Sequence, residues 1–204
     1  MDKALSDSLF PCIDRVLELI NKTESEKDDI VIGIDGSSGA GKSCLAELLV
    51  NYCDCNVIHM DDFFLQPRQR TAARLKEPGG NIDYERFQSE VINNLKSNRE
   101  FCYRIYDCSK AALTDWVKVI PKKINIIEGV YSMHPLWNHI YDIKIFLTVK
   151  DDIQLERIRK RNGDQMLKRF VQEWIPLENQ YFEYFKIAQL CDIVIDTSAL
   201  KSSV

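Results

Sequence analysis

The sequence predicts a doubly wound α/β fold, a mostly parallel sheet with helices on both faces, on three observations. Short runs rich in Val, Ile and Leu alternate with helical patterns along the chain. Several of those runs are apolar at nearly every position, as in parallel strands buried on both faces. Between the first strand run and the helix after it lies a turn of Gly and Ser residues closed by Lys42.

The elements follow in order. "LSDSLFPCIDRVLELINK" reads as an amphipathic helix with Leu9, Ile13, Val16, Leu17 and Ile20 on one face and Pro11 in its first turn. Strands are expected at Ile30–Asp35, Asn56–Met60, Tyr103–Tyr106, Lys123–Glu128, Ile143–Val149 and Ile193–Ile195. Helices are expected at Lys42–Tyr52, Tyr84–Ser97 and Asp151–Arg161, with a long one over 164–188 that Pro176 kinks or divides. The polar stretch "TAARLKEPGGNIDYERF" interrupts the alternation and reads as a functional or mobile loop. Met166, Phe170, Trp174, Leu177, Tyr181 and Phe185 recur at helical spacing and read as a core stripe.

The 204 residues, 45 % hydrophobic, suit one domain. We divide it into an N-terminal helix and linker (1–29), an acceptor-binding insertion (62–110) and a lid (157–170). A net charge of −4 disfavours a nucleic-acid partner but not small anionic ligands. Seven scattered cysteines, with no second pair to complete the Cys53/Cys55 C-x-C, read as reduced thiols of a cytoplasmic protein. No apolar run has the length of a membrane span or a signal peptide, so no membrane partner is expected. The histidines His59, His134 and His139 are scattered and read as structural.

Gly36-Ser37-Ser38-Gly39-Ala40-Gly41-Lys42-Ser43 fits G-x-x-x-x-G-K-[ST], the P-loop. Its glycines let the backbone curl so that N–H groups converge on an anion, at the positive end of the helix that follows. Lys42 is then placed to reach the β- and γ-phosphates and Ser43 to ligate Mg²⁺, with Cys44 completing the candidate ATP site. A guanine-reading N-K-x-D after the loop is missing from the sequence, which points away from a GTP switch and towards small-molecule phosphotransfer.

Carboxylates stand at the ends of two further apolar runs, which in a parallel sheet share the edge of the P-loop. Asp61 and Asp62 follow the run ending at Met60, and either can take the proton of an attacking hydroxyl. Phe64 is a candidate wall of the acceptor pocket. Glu128 ends the run "KINIIE" at a Walker B-like position, suited to orienting Mg²⁺. "LERIRKRNGDQMLKR" supplies candidate lid arginines, among which chemistry alone does not choose between Arg157 and Arg161.

The order "GSSGAGKS", "DDFF", "NIDYERF", "RIYD", "IIEGVY" and an Arg-rich segment resembles the uridine kinase and phosphoribulokinase superfamily, to which nicotinamide riboside kinases are related. The resemblance covers about residues 30–195. It implies a three-layer α/β/α kinase with a small lid, using ATP and Mg²⁺ to phosphorylate a hydroxyl of a small molecule, often a nucleoside. It further implies Asp61 as the base, Asp83 as the ligand of ribose hydroxyls and Arg104 and Tyr106 as acceptor-pocket residues. Glu128 would assist Mg²⁺, and Arg157 and Arg161 would serve as lid arginines. Family members are often homo-oligomers. Two departures stand out: "YDCSKAAL" lacks the histidine that uridine-cytidine kinases carry after "YD", and "RKRNGDQML" is a shorter lid than theirs. Nicotinamide riboside, a sugar or a vitamin alcohol are the alternative acceptors, and an ATP-binding module without turnover is the alternative class.

Overall fold

The computed structural model describes residues 3–198. Helix α1 (Lys3–Glu24) starts earlier than its sequence pattern suggests, so Pro11 lies inside it rather than in its first turn. Leu9, Ile13, Val16 and Ile20 are buried, as an apolar stripe at helical spacing requires. Then come β1 (Ile30–Gly36), α2 (Lys42–Val50), β2 (Cys55–His59), α3 (Ala72–Lys76) and α4 (Tyr84–Phe87). A π turn over Gln88–Ile92 joins α4 to α5 (Asn93–Leu95), so the predicted helix over 84–97 is continuous in path but not in hydrogen bonding.

Strands β1, β2, β5 (Ile124–Glu128), β6 (Ile143–Thr148) and β7 (Ile193–Asp196) form one parallel sheet in the order β2-β5-β1-β6-β7. Two apolar cores, one on each face, make it the middle of three layers. Ile30, Ile32 and Ile34 point into the core shared with α1 and α2, while Val31 points into the other with Phe63, Phe87 and Trp137. This two-residue alternation explains the continuous apolar runs: both faces are covered. The order places β1 between β5 and β6, and ligands in such sheets sit where connections leave in both directions, at the carboxyl ends of the strands.

Strand β3 (Phe101–Asp107) stands outside that sheet. It pairs antiparallel with β4 (Ala112–Val119), a strand the sequence reading did not expect, in a separate two-stranded hairpin. The hairpin begins within the stretch 62–110 and ends at Val119.

Helix α6 (Asp151–Arg169) contains both halves of the Arg-rich segment. Gly163, at φ 78° and ψ 170°, breaks it into two helical arms. Ile158, Leu167 and Phe170 pack together as a small cluster of their own across that break. A π turn at Phe170–Trp174 leads into α7 (Ile175–Phe185), with Pro176 in its first turn, where a missing N–H costs no hydrogen bond. The division expected at Pro176 thus falls at the residue before it.

Among the described residues no helix is long and apolar enough to cross a membrane. All seven cysteines are thiols.

Candidate active site

The turn between β1 and α2 curls under tight constraint. Gly36 has φ 136°, and a Cβ there would lie 1.9 Å from the Leu147 carbonyl oxygen on β6. Only glycine fits where the loop leaves the sheet. Gly41 caps α2 in a left-handed conformation at φ 99°. Lys42 is buried and folds back along the loop, donating from Nζ to the Gly36 oxygen at 2.8 Å and the Ser37 oxygen at 3.1 Å. Cys44 faces the core on the inner side of α2.

Sheet register sets the acids. Glu128 pairs in register with Ile34 on one side and His59 on the other, so three strand ends lie abreast. The Ser43 hydroxyl donates to Glu128 Oε1 at 3.0 Å, and His59 Nδ1 lies 2.6 Å from the same oxygen. Hydrogen bonding to Glu128 raises the His59 pKa above its ordinary value, against an opposing effect of burial. His59 was read as structural; its position beside Glu128 follows from strand register, which the sequence alone does not reveal.

Asp61 sits in the 3₁₀ turn Met60–Phe63 that follows β2. Its side chain is exposed, with protein closely around the carboxyl. This crowding raises its pKa, and the nearby Glu128 charge raises it further, while Lys42, Arg161 and His59 act in the opposite direction. A carboxylate held in this way is a stronger base than a free one. Asp62 turns away to accept the Tyr103 hydroxyl at 3.2 Å.

On the acceptor side, Asp83 is buried and caps α4, accepting the Arg86 N–H at 3.1 Å. The buried Arg86 guanidinium donates to the carbonyls of Arg104 and Asp62, which ties α4, the Asp61 turn and the hairpin together. Phe64 is half-buried and bridges to Ile82. Arg104 spends its guanidinium on the Leu113 and Thr114 carbonyls of β4 and lies 5.5 Å over the Trp116 ring. Tyr106 is buried opposite Leu113. Burial raises its pKa, and the charge of Arg70 offsets part of this.

The two candidate arginines differ. Arg157 donates to the Gly39 carbonyl at 3.2 Å and to Thr197 at 2.9 and 2.8 Å, which straps the loop to the end of β7. Arg161 is exposed, donates to the Asn162 side chain, and is the one whose charge reaches Asp61.

Two buried acids of the site went unnoticed in the sequence. Asp35 accepts N–H groups from Gly36, Tyr131 and Met133 and the Tyr181 hydroxyl. Glu178 accepts the Ser38 N–H at 3.0 Å and its hydroxyl. Each interrupts an apolar pattern, Asp35 a strand run and Glu178 the stripe of α7, and that interruption is the signal that could have found them.

The fold, the loop and the carboxylates at one sheet edge define a P-loop phosphotransferase. Comparison with known proteins then places the chain: residues 31–166 match the phosphoribulokinase / uridine kinase family, and this protein belongs to it. It is 27 % identical over 187 residues to the uridine kinase of Streptococcus agalactiae, covering 83 % of this chain and 87 % of that one. It is 27 % identical over 136 residues to uridine-cytidine kinase C of Dictyostelium discoideum, covering 66 % of this chain but 30 % of the longer relative. The solved structure of a possible uridine kinase from Bacillus stearothermophilus shares the fold at a TM-score of 0.66 and 22 % identity, covering 91 % of this chain and 100 % of that one. The chain is thus a kinase of small-molecule type by family.

Proposed function

We propose that this protein transfers the γ-phosphoryl group of ATP to a hydroxyl of a small acceptor, a nucleoside being the acceptor class its motif order favours. The observation that carries the reading is the convergence of Lys42, Ser43, Glu128 and Asp61 at the carboxyl edge of one sheet. The loop N–H groups from Gly36 to Cys44 and Lys42 hold the phosphates. Ser43 and Glu128 offer adjacent hard oxygen donors 3.0 Å apart. That donor set suits Mg²⁺, which takes most of its remaining ligands from phosphates and water, and which supplies charge neutralisation when bound.

Asp61 takes the proton of the acceptor hydroxyl. Its crowded surroundings raise its basicity for that task. Arg161, whose charge bears on Asp61, balances negative charge at the transferring group. Arg157 holds the flank of the loop through Gly39 and Thr197. Asp83, which caps α4 with one oxygen and lies 3.7 Å from Arg86 Nε with the other, is the ligand of acceptor hydroxyls, with Phe64, Arg104 and Tyr106 shaping the pocket.

The test is ATP turnover by the purified protein with Mg²⁺ and a panel of nucleosides, nicotinamide riboside, pantothenate and simple sugars, read by product mass. Transfer to a nucleoside, reduced about 10²–10⁴-fold in Asp61→Asn with its thermal melt unchanged, is the expected result. Transfer to pantothenate or a sugar alone would move the acceptor class. Tight ATP binding with transfer to nothing would replace the kinase reading with a binding module.

A further inference from the structure

Helix α7 presents two side chains to the phosphate loop. Tyr181 reaches Asp35, just before Gly36, at 2.8 Å. Glu178, one turn earlier and 4 % exposed, takes both the N–H and the hydroxyl of Ser38. Gln154 of α6 takes the Ser38 carbonyl at 2.9 Å, so every polar group of that residue is bonded to α6 or α7. Lys42 is likewise turned onto the loop's own carbonyls.

These bonds are not neutral towards a polyphosphate. A loop of this kind binds phosphate through its inward N–H groups and its lysine. With the present partners kept, the Ser38 N–H and Lys42 Nζ are both engaged. A carboxylate beside a site for a polyanion also repels it. If Glu178 served only to fix the loop, a neutral amide acceptor would do so without that repulsion and without the cost of burying a charge. The charge has a use if it is exchanged. A carboxylate oxygen and a phosphate oxygen make the same bonds to an N–H and a hydroxyl.

We propose that Glu178 is a placeholder anion of the phosphate loop: its carboxylate holds Ser38 until phosphate oxygens of the nucleotide displace it. The proposal rests on the reading of this loop as the nucleotide site. The surroundings support it: burial raises the Glu178 pKa, while Lys42 and the Ser38 bonds lower it, so its charge depends on partners that a nucleotide would claim. Displacement also reaches further along the chain. Glu178 lies in the first turn of α7, shortly after the π turn that follows Arg169, so release of Ser38 frees the junction beside Arg169.

The experiment is calorimetric titration of MgATP and of tripolyphosphate into wild-type protein and Glu178→Gln, with thermal melts of both. Gln keeps an acceptor for Ser38 and removes the charge. The expected result is binding about tenfold tighter in Glu178→Gln for both ligands. Equal or weaker binding by a folded variant overturns the proposal. Hydrogen exchange on the wild-type protein gives a second measure that needs no variant. On adding tripolyphosphate, residues 36–44 should exchange more slowly and residues 175–181 faster; protection of both segments together marks a fixed clamp and overturns it. Wild-type protein that binds both ligands yet phosphorylates no acceptor would end the kinase reading alone. Failure to bind either ligand would end both.

Discussion

The hydroxyl of Tyr181 donates to Asp35 Oδ2 at 2.8 Å, joining two residues 146 positions apart. Three backbone N–H groups complete the shell of this carboxylate, from Gly36, Tyr131 and Met133. One buried acid thus fixes the start of the phosphate loop, the turn after β5 and the face of α7. Its position is not free of cost, because burial outweighs these bonds.

That balance gives a pH dependence. Burial pushes the Asp35 carboxyl from its ordinary 3.8 up to about 6. The folded state then binds the proton more tightly than the unfolded chain does. Its contribution is fully present below about 3.8 and is lost as pH rises through about 6. The loss is on the order of 2–3 kcal/mol. Asp35→Asn is destabilised overall, since its amide meets N–H donors, but it lacks this dependence. The stability of wild type relative to the variant, from urea unfolding between pH 4 and pH 7, should fall across the window. A constant difference would contradict the assignment.

Glu128 carries a prediction about metal. In Glu128→Gln the Ser43 hydroxyl keeps its acceptor, so folding should be little changed, but a charged donor to Mg²⁺ is gone. The Mg²⁺ concentration for half-maximal transfer should rise roughly tenfold. Nucleotide binding in EDTA should not weaken. An unaltered Mg²⁺ dependence would remove Glu128 from the metal site.

Two glycines with positive φ should behave differently. At Gly36 a Cβ meets backbone oxygen at 1.9 Å, whereas at Gly163 nothing lies within 4 Å. Gly36→Ala should therefore cost more than about 3 kcal/mol, because β6 must shift. Gly163→Ala should cost only the strain of a glycine-only backbone conformation, about 1–3 kcal/mol. Thermal melts compare them directly, and similar losses would show that space at Gly36 is not the constraint.

The loop and its flanking elements were legible because their cause is local. A buried strand, glycines at fixed spacing and a lysine at a helix start are all adjacent in the chain. The carboxyl-edge acids Asp61 and Glu128 were legible for a related reason: each closes an apolar run, and parallel strands put such ends on one edge. The hairpin partner was not legible. "ALTDWVKV" is half-exposed, with Trp116 among its exposed residues, and shows no clean alternation. The gap expected between the helices over 151–161 and 164–188 coincides with the break at Gly163, although the charged run around it hides helical periodicity. Asp35 and Glu178 each interrupt a local apolar pattern, but the partners that give them their roles lie 146 and 140 positions away, which no local pattern encodes. The division of labour between Arg157 and Arg161 has the same origin, since Thr197 lies 40 positions from Arg157.

The hairpin of β3 and β4 shares no strand pairing with the five-stranded sheet. It is tied to the rest of the chain at Arg104, whose N–H donates to Glu90 and whose carbonyl accepts from Arg86, and by the Tyr103–Asp62 bond. The hairpin is therefore a cassette held by a few bolts. On the function proposed above, exchange of its loop or its exposed face would leave the phosphate loop intact, and one catalytic frame could be refitted for a new acceptor without being rebuilt.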